Sequence, residues 1–121
     1  MNPINIKSAE HYLWGEGCDG WHLVKREGVS VIQERVPPGR AELKHLHHQA
    51  RQFFFILEGQ ATIEIGETVV VLNPHEGIEV APDLPHRFRN DSDREVSFLV
   101  ISVPPSHGDR ENLAPSVPPL A

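Results

Sequence analysis

The chain reads as an all-β domain, and three observations say so. Short runs of β-branched and aromatic residues recur along it, turn residues separate them, and no stretch of useful length carries a helical period. Val29 to Val36 is rich in valine and stops at Pro37-Pro38-Gly39, a strand followed by a turn. Ala41 to His47 continues extended. Arg51 to Leu57 is strongly apolar and ends at Glu58-Gly59. Gln60 to Ile65 alternates, which puts Ala61, Ile63 and Ile65 on one face. Gly66-Glu67 turns the chain into Thr68 to Leu72, and further short strands fit Gly77 to Ala81, His86 to Asn90 and Glu95 to Val103. Strands this short, punctuated this regularly, predict a barrel or a sandwich.

The flanks read differently from this centre. Residues 1–28 mix Gly, charged and aromatic residues, irregular to about Gly20, and are expected to pack as an edge segment on a barrel spanning 29–103. Residues 104–121 form a tail whose Pro104, Pro105, Pro115, Pro118 and Pro119 cannot join a central strand.

Composition narrows the function. With 121 residues the chain fits one domain. A net charge of −6 argues against a nucleic-acid footprint, which is normally basic, and against docking to an anionic membrane. The single cysteine, Cys18, excludes an internal disulfide framework and reads as a buried thiol. No N-terminal run reads as a signal peptide, and no stretch approaches the ~20 apolar residues of a membrane span, so the expected location is cytoplasmic.

The chemistry sits in the histidines. Alternate strand residues share a face, so His45 and His47 point together and His48 points away. A later strand has to bring His86 alongside them. Imidazole is the commonest protein ligand for first-row transition metals, and three converging rings are hard to explain by packing. His11, His22, His75 and His107 lie outside the pattern and read as surface residues. Arg87 and Arg89 alternate with His86 and read as pointing outward.

These residues also carry a family resemblance. Gly39, five residues, His45-x-His47, four residues, Gln52, six residues and Gly59 resembles the first cupin motif, with Gln52 where that motif has Glu. Gly66 onward to Ala81-Pro82-Asp83-Leu84-Pro85-His86-x-x-x-Asn90 resembles the second, with Asp83 where a Gly is common. The resemblance implies a double-stranded β-helix, or jelly-roll barrel. It implies one divalent transition metal (Zn, Ni, Fe, Mn or Cu) held by His45, His47, Gln52 and His86. Gln52 either ligates through its carbonyl oxygen or hydrogen-bonds a metal-bound water. In both cases the ligands leave the ion's charge unneutralised, which favours anionic ligands.

Phe54, Ile56, Ile63 and Phe88 are the natural pocket walls beside these ligands, though core packing accounts for them equally well. Asp109-Arg110 reads either as a solvated turn or as a polar cluster closing over the barrel mouth. The strand from Gln52 to Leu57 carries a second message. With Gln52, Phe54 and Ile56 facing inward, Phe53, Phe55 and Leu57 face outward and still need cover. Either the N-terminal segment supplies it, through Trp14 and Trp21, or a second copy does in a homodimer packed sheet against sheet.

Three functions are compatible with such a site. The leading one is a metalloenzyme acting on a small oxygen-rich, sugar-acid-like substrate by isomerase- or lyase-type Lewis-acid chemistry. The histidine and glutamine set resembles that of cupins that linearise unsaturated uronates. Those enzymes place an Asp and an Arg on the strand after the last His, where Ile101 to His107 supplies neither. The others are a non-catalytic module that binds a small ligand and an iron-dependent dioxygenase. A proton-transfer group inside the cavity would favour an enzyme; a wholly apolar cavity would favour a binding module.

Overall fold

A computed structural model describes residues 1–113 of the chain. Eleven strands make two antiparallel sheets: β1 (Glu10–Trp14), β2 (Cys18–Lys25), β3 (Ser30–Val36), β4 (His45–His47), β5 (Arg51–Glu58), β6 (Ala61–Ile65), β7 (Thr68–Leu72), β8 (Gly77–Val80), β9 (His86–Arg89), β10 (Val96–Val103) and β11 (Arg110–Asn112). One sheet runs β1-β2-β3-β10-β5-β8 and the other β11-β4-β9-β6-β7. This is the all-β double-stranded β-helix that the motifs imply. Among the described residues, no helix is long and apolar enough to cross a membrane.

Alternation decides what faces inward. On β10, Val96, Phe98, Val100 and Ser102 are buried while Ser97, Leu99 and Ile101 are half-buried. On β5 the buried set is Gln52, Phe54 and Ile56. The register between these strands sets Ser102 against Gln52 and Val100 against Phe54. Phe88 from β9 and Phe98 from β10 bridge the sheets, their rings stacked with centroids 4.0 Å apart. A fully buried side chain of this kind stabilises the fold by roughly 1.5–3 kcal/mol.

Two flanking segments form strands where the sequence shows no clean pattern. Glu10–Trp14 and Cys18–Lys25 pair as a hairpin and extend the six-stranded sheet beyond β3. Their local alternation is weak because one partner is the sheet edge, so pairing rather than burial holds them. Arg110–Asn112, inside the proline-rich tail, adds β11 to β4, with Arg110 opposite His47 and Asn112 opposite His45. Pro115, Pro118 and Pro119 lie outside the described residues.

The two tryptophans separate. Trp14 turns toward the barrel interior, its indole N–H donating to the Asp19 carbonyl at 3.1 Å. Trp21 lies with Ile6 over Gln33 and Leu57 on the outer side. Cover of the outer face is therefore partial, and Phe53 remains 38% exposed.

Candidate functional site

The five-stranded sheet brings the imidazoles together. Antiparallel pairing of β4 with β9 sets His45 directly opposite His86, and the alternation on β4 places His47 on the same face. Ring centroids lie 4.3 Å apart for His45 and His86, 5.0 Å for His45 and His47, and 5.8 Å for His47 and His86. One ligand atom from each of the three falls within 4.8 Å of the others. Ligands about 2.1 Å from a single ion lie at most about 4.2 Å apart, so small side-chain adjustments suffice. The three histidines are positioned to bind a metal.

Their hydrogen bonds prepare them for it. His45 Nδ1 donates to the Leu43 carbonyl at 2.7 Å and His86 Nδ1 to the Leu84 carbonyl at 3.0 Å. Donation from Nδ1 leaves a lone pair on Nε2, the arrangement typical of metal-ligating histidines. Burial, reinforced by the neighbouring His86 imidazole, pushes His45 down to about 3 and His47 to about 4. Burial lowers His86 as well. All three are uncharged at neutral pH.

Gln52 approaches from the opposite sheet. Its amide N–H donates to Ser102 Oγ at 3.0 Å, and its Oε1 is buried with no partner among the described residues. His86 Nε2 and His47 Nδ1 are likewise buried without partners. Buried polar atoms are normally satisfied. Unpartnered atoms able to donate electron pairs, on the clustered histidines and on Gln52 in the cavity beside them, fit a cation at the point the imidazoles surround.

Around this point lies a cavity of about 280 Å³. Tyr12, Trp14, Ile32, Phe54 and Val100 give it apolar walls. Of the expected pocket residues, Phe54 is among them. Ile56, Ile63 and Phe88 instead sit in the buried core, where stacking of Phe88 on Phe98 fills the barrel below the histidines.

Two carboxyls that the sequence reasoning passed over also line this cavity: Glu34 and Glu42. Burial, with repulsion from Glu42, raises Glu34 to about 8. Burial raises Glu42 to about 7 against an opposing hydrogen bond from the Phe88 N–H, 2.9 Å long. The legible signal for Glu34 was its place between Ile32 and Val36 on one strand face. Burial and Glu34 together also raise the Tyr12 hydroxyl above its ordinary range.

Arg110 reaches the same cavity from β11. Asp109 beside it does structural work. Its carboxylate accepts from the N–H groups of His48, Gln49 and Ala50 at 2.8 to 3.2 Å, which fixes the loop between β4 and β5. Desolvation opposes its charge, but these bonds outweigh it and hold the carboxyl below the usual range. Arg87 and Arg89 point outward to Glu64. His48 is exposed between Asp83 and Glu111, and His75 lies on the surface near Phe55. His11 pairs with Asp19 at 2.7 Å, whereas His22 and His107 line a second cavity. Cys18 is a buried free thiol.

Comparison with known proteins fits this architecture. A family model described as a cupin domain matches residues 32–102, and the chain belongs to the cupin family. A polyketide synthase, CurC of Streptomyces cyaneus, is 27% identical over 94 residues, covering 74% of this chain but only 58% of its own length. The polyketide cyclase RemF of Streptomyces resistomycificus superposes with a TM-score of 0.81 at 17% identity, covering 96% of this chain and 87% of that one. A sugar phosphate isomerase of Silicibacter pomeroyi gives 0.71 at 20% identity, covering 83% and 74%. Likeness at these identities shows the fold.

Proposed function

We propose that this cupin is a metal-dependent enzyme performing isomerase- or lyase-type Lewis-acid chemistry on a small, oxygen-rich carbonyl compound. The observation that carries the reading is Glu34, a buried carboxyl lining the same cavity as His45 and His47. His45, His47 and His86, with Gln52 through Oε1, would hold the ion. A divalent ion there supplies polarisation of a substrate carbonyl or hydroxyl.

The remaining steps fall to the chain's own groups. Glu34 takes a proton from the hydroxyl-bearing carbon beside the polarised carbonyl and returns it to the carbonyl carbon, while the hydroxyl proton passes to the carbonyl oxygen, so the isomerisation balances without a co-reactant. A carboxyl poised near neutral pH suits both directions of that transfer. The Arg110 guanidinium pairs with a substrate oxyanion. Tyr12, Trp14 and Phe54 restrict water around the reacting carbons. Polyketides and sugar phosphates, named for two of the relatives, are both oxygen-rich carbonyl compounds, which supports this substrate class.

Solvent exchange tests the reading. Metal-reconstituted protein is incubated in deuterium oxide with a panel of ketoses, keto sugar acids and 1,3-diketones. Deuterium should enter beside a carbonyl of at least one compound, about 100-fold more slowly with Glu34→Gln, the usual scale for losing a general base. Binding without exchange on any compound would instead favour the non-catalytic module, and oxygen uptake by iron-loaded protein would favour the dioxygenase.

The chain is also proposed to pair through the outer face of β5 and β10. Phe53 is 38% exposed there, and the half-buried Phe55, Leu99 and Ile101 continue the patch. An apolar patch of this kind on a sheet face suits a two-fold contact with a second copy.

A further inference from the structure

A second cavity, of about 400 Å³, adjoins the one at the histidines. Four side chains, Tyr12, Ile32, Ser106 and His107, line both and form the partition between them. The chambers differ in charge. The histidine side carries the carboxyls Glu34 and Glu42 beside the single cation Arg110. Among the described residues the second has no carboxylate in its wall but has Lys25, Arg26, His22 and His107.

These groups are unevenly engaged. Lys25 Nζ lies 3.2 Å from Glu10, and His22 Nε2 lies 3.9 Å from the same carboxylate. Arg26 meets only the Lys25 carbonyl, at 3.5 Å, and has no carboxylate partner among the described residues. His22 Nδ1 is buried with no partner among the described residues. The chamber therefore holds about one uncompensated positive charge and an orphaned imidazole nitrogen, a recess suited to a monoanion.

We propose that this second chamber binds the terminal carboxylate of an elongated substrate whose carbonyl end lies at the three histidines. The inference rests on the metal-centre reading and extends it. It makes the substrate a two-ended molecule, with a carbonyl at one end and a carboxylate beyond the Tyr12 and His107 partition. The environment of His22 agrees: burial lowers its basicity first and Lys25 next, with Glu10 opposing and His107 adding to the lowering. A carboxylate seated among these groups reverses that balance.

Calorimetry with 2-oxo acids of increasing length tests the inference, each offered to zinc-loaded protein in two forms, with a terminal carboxylate and with a terminal methyl. At the length that spans the partition, the carboxylate form should bind at least tenfold more tightly. In the Lys25→Gln/Arg26→Gln double variant, where both changes are on exposed side chains, the preference should fall below twofold. No preference at any length, or a preference that survives the double variant, overturns the proposal.

A second arm separates this from failure of the metal reading. If neither series binds more tightly to zinc-loaded than to metal-free protein, the metal reading has failed and the chamber is tested alone. Glutarate is then titrated into metal-free protein while the imidazole resonances of His22 and His107 are followed. Saturable shifts, with His22 titrating at higher pH, support the carboxylate site; unmoved resonances overturn it.

Discussion

His47 joins the cluster through position alone, its Nδ1 buried with no partner among the described residues, so in the proposed metal site its value lies in what it can ligate. His47→Ala should therefore lower metal affinity at least 100-fold while leaving the fold intact, as read by metal titration and circular dichroism. Gln52 tests the electrostatics instead. Gln52→Glu should keep the metal but weaken binding of 2-oxo acids, because the new carboxylate cancels one unit of the ion's charge. Equal or tighter binding would contradict the charge argument.

Glu34 sets a pH dependence in the metal-free protein. Its carboxyl titrates near 4.5 in the unfolded chain and at about 8 in the folded one. The folded state thus holds the extra proton across that window, and stability is lost as pH rises through it. His45 and His47 run the other way below about 6.5, since their folded values lie beneath the unfolded one. Between about pH 6.5 and 8 the raised carboxyls act together with exposed His48, which its bonds to Asp83 and Glu111 hold above its ordinary value, and the urea midpoint should fall for the wild type and fall less for Glu34→Gln. Parallel slopes in the two proteins would contradict the buried assignment of Glu34.

The three histidines were legible because two local rules, alternation and motif spacing, both pointed at them. Glu34 was visible only as one acid between Ile32 and Val36, and nothing local distinguishes a carboxyl facing a cavity from one facing solvent.

At the level of elements, the site depends on contacts made across long stretches of chain. Asp109 fixes the β4–β5 loop from 59 to 61 residues away in sequence. No pattern read along the chain exposes such a partner, which is why β11 was not foreseen and why Asp109-Arg110 was left between a solvated turn and a cluster at the barrel mouth, where Arg110 lies. Asp109→Ala should loosen the loop that carries His47 into Gln52 and lower metal affinity about tenfold without removing a ligand, the scale seen for outer partners of metal ligands. Unchanged affinity would show that the loop holds its shape alone.

Gly59 ends β5 with φ at +82°, and a Cβ there would lie 2.5 Å from the Glu95 carbonyl oxygen. Gly59→Ala should cost about 2 kcal/mol or more in a denaturation midpoint, because strain and a backbone clash coincide. This turn was readable from Glu58-Gly59 itself. The N-terminal hairpin was not, since pairing to β3 rather than its own alternation makes it a strand pair.

For the whole molecule, the strand centres from Val29 to Val103 were read from turn residues and period-two burial, because the barrel enforces both. The outer face was only half readable. Trp21 and Ile6 cover one part of it and leave Phe53 exposed, so self-cover accounts for part of the surface and the proposed second copy is left the rest. Light scattering at micromolar concentration should give twice the chain mass, and Phe53→Glu should give a folded monomer. A wild-type monomer would remove the pairing.

All of the proposed chemistry rests on a metal at His45, His47 and His86. Elemental analysis of untagged protein, purified without added metal, tests this most directly when wild type and His47→Ala are measured side by side. About one equivalent of a divalent transition metal in the wild type and little in the variant is the expected result. No metal in the wild type and none taken up on titration, or equal metal in both proteins, would mean that the three imidazoles do not form the centre assigned to them.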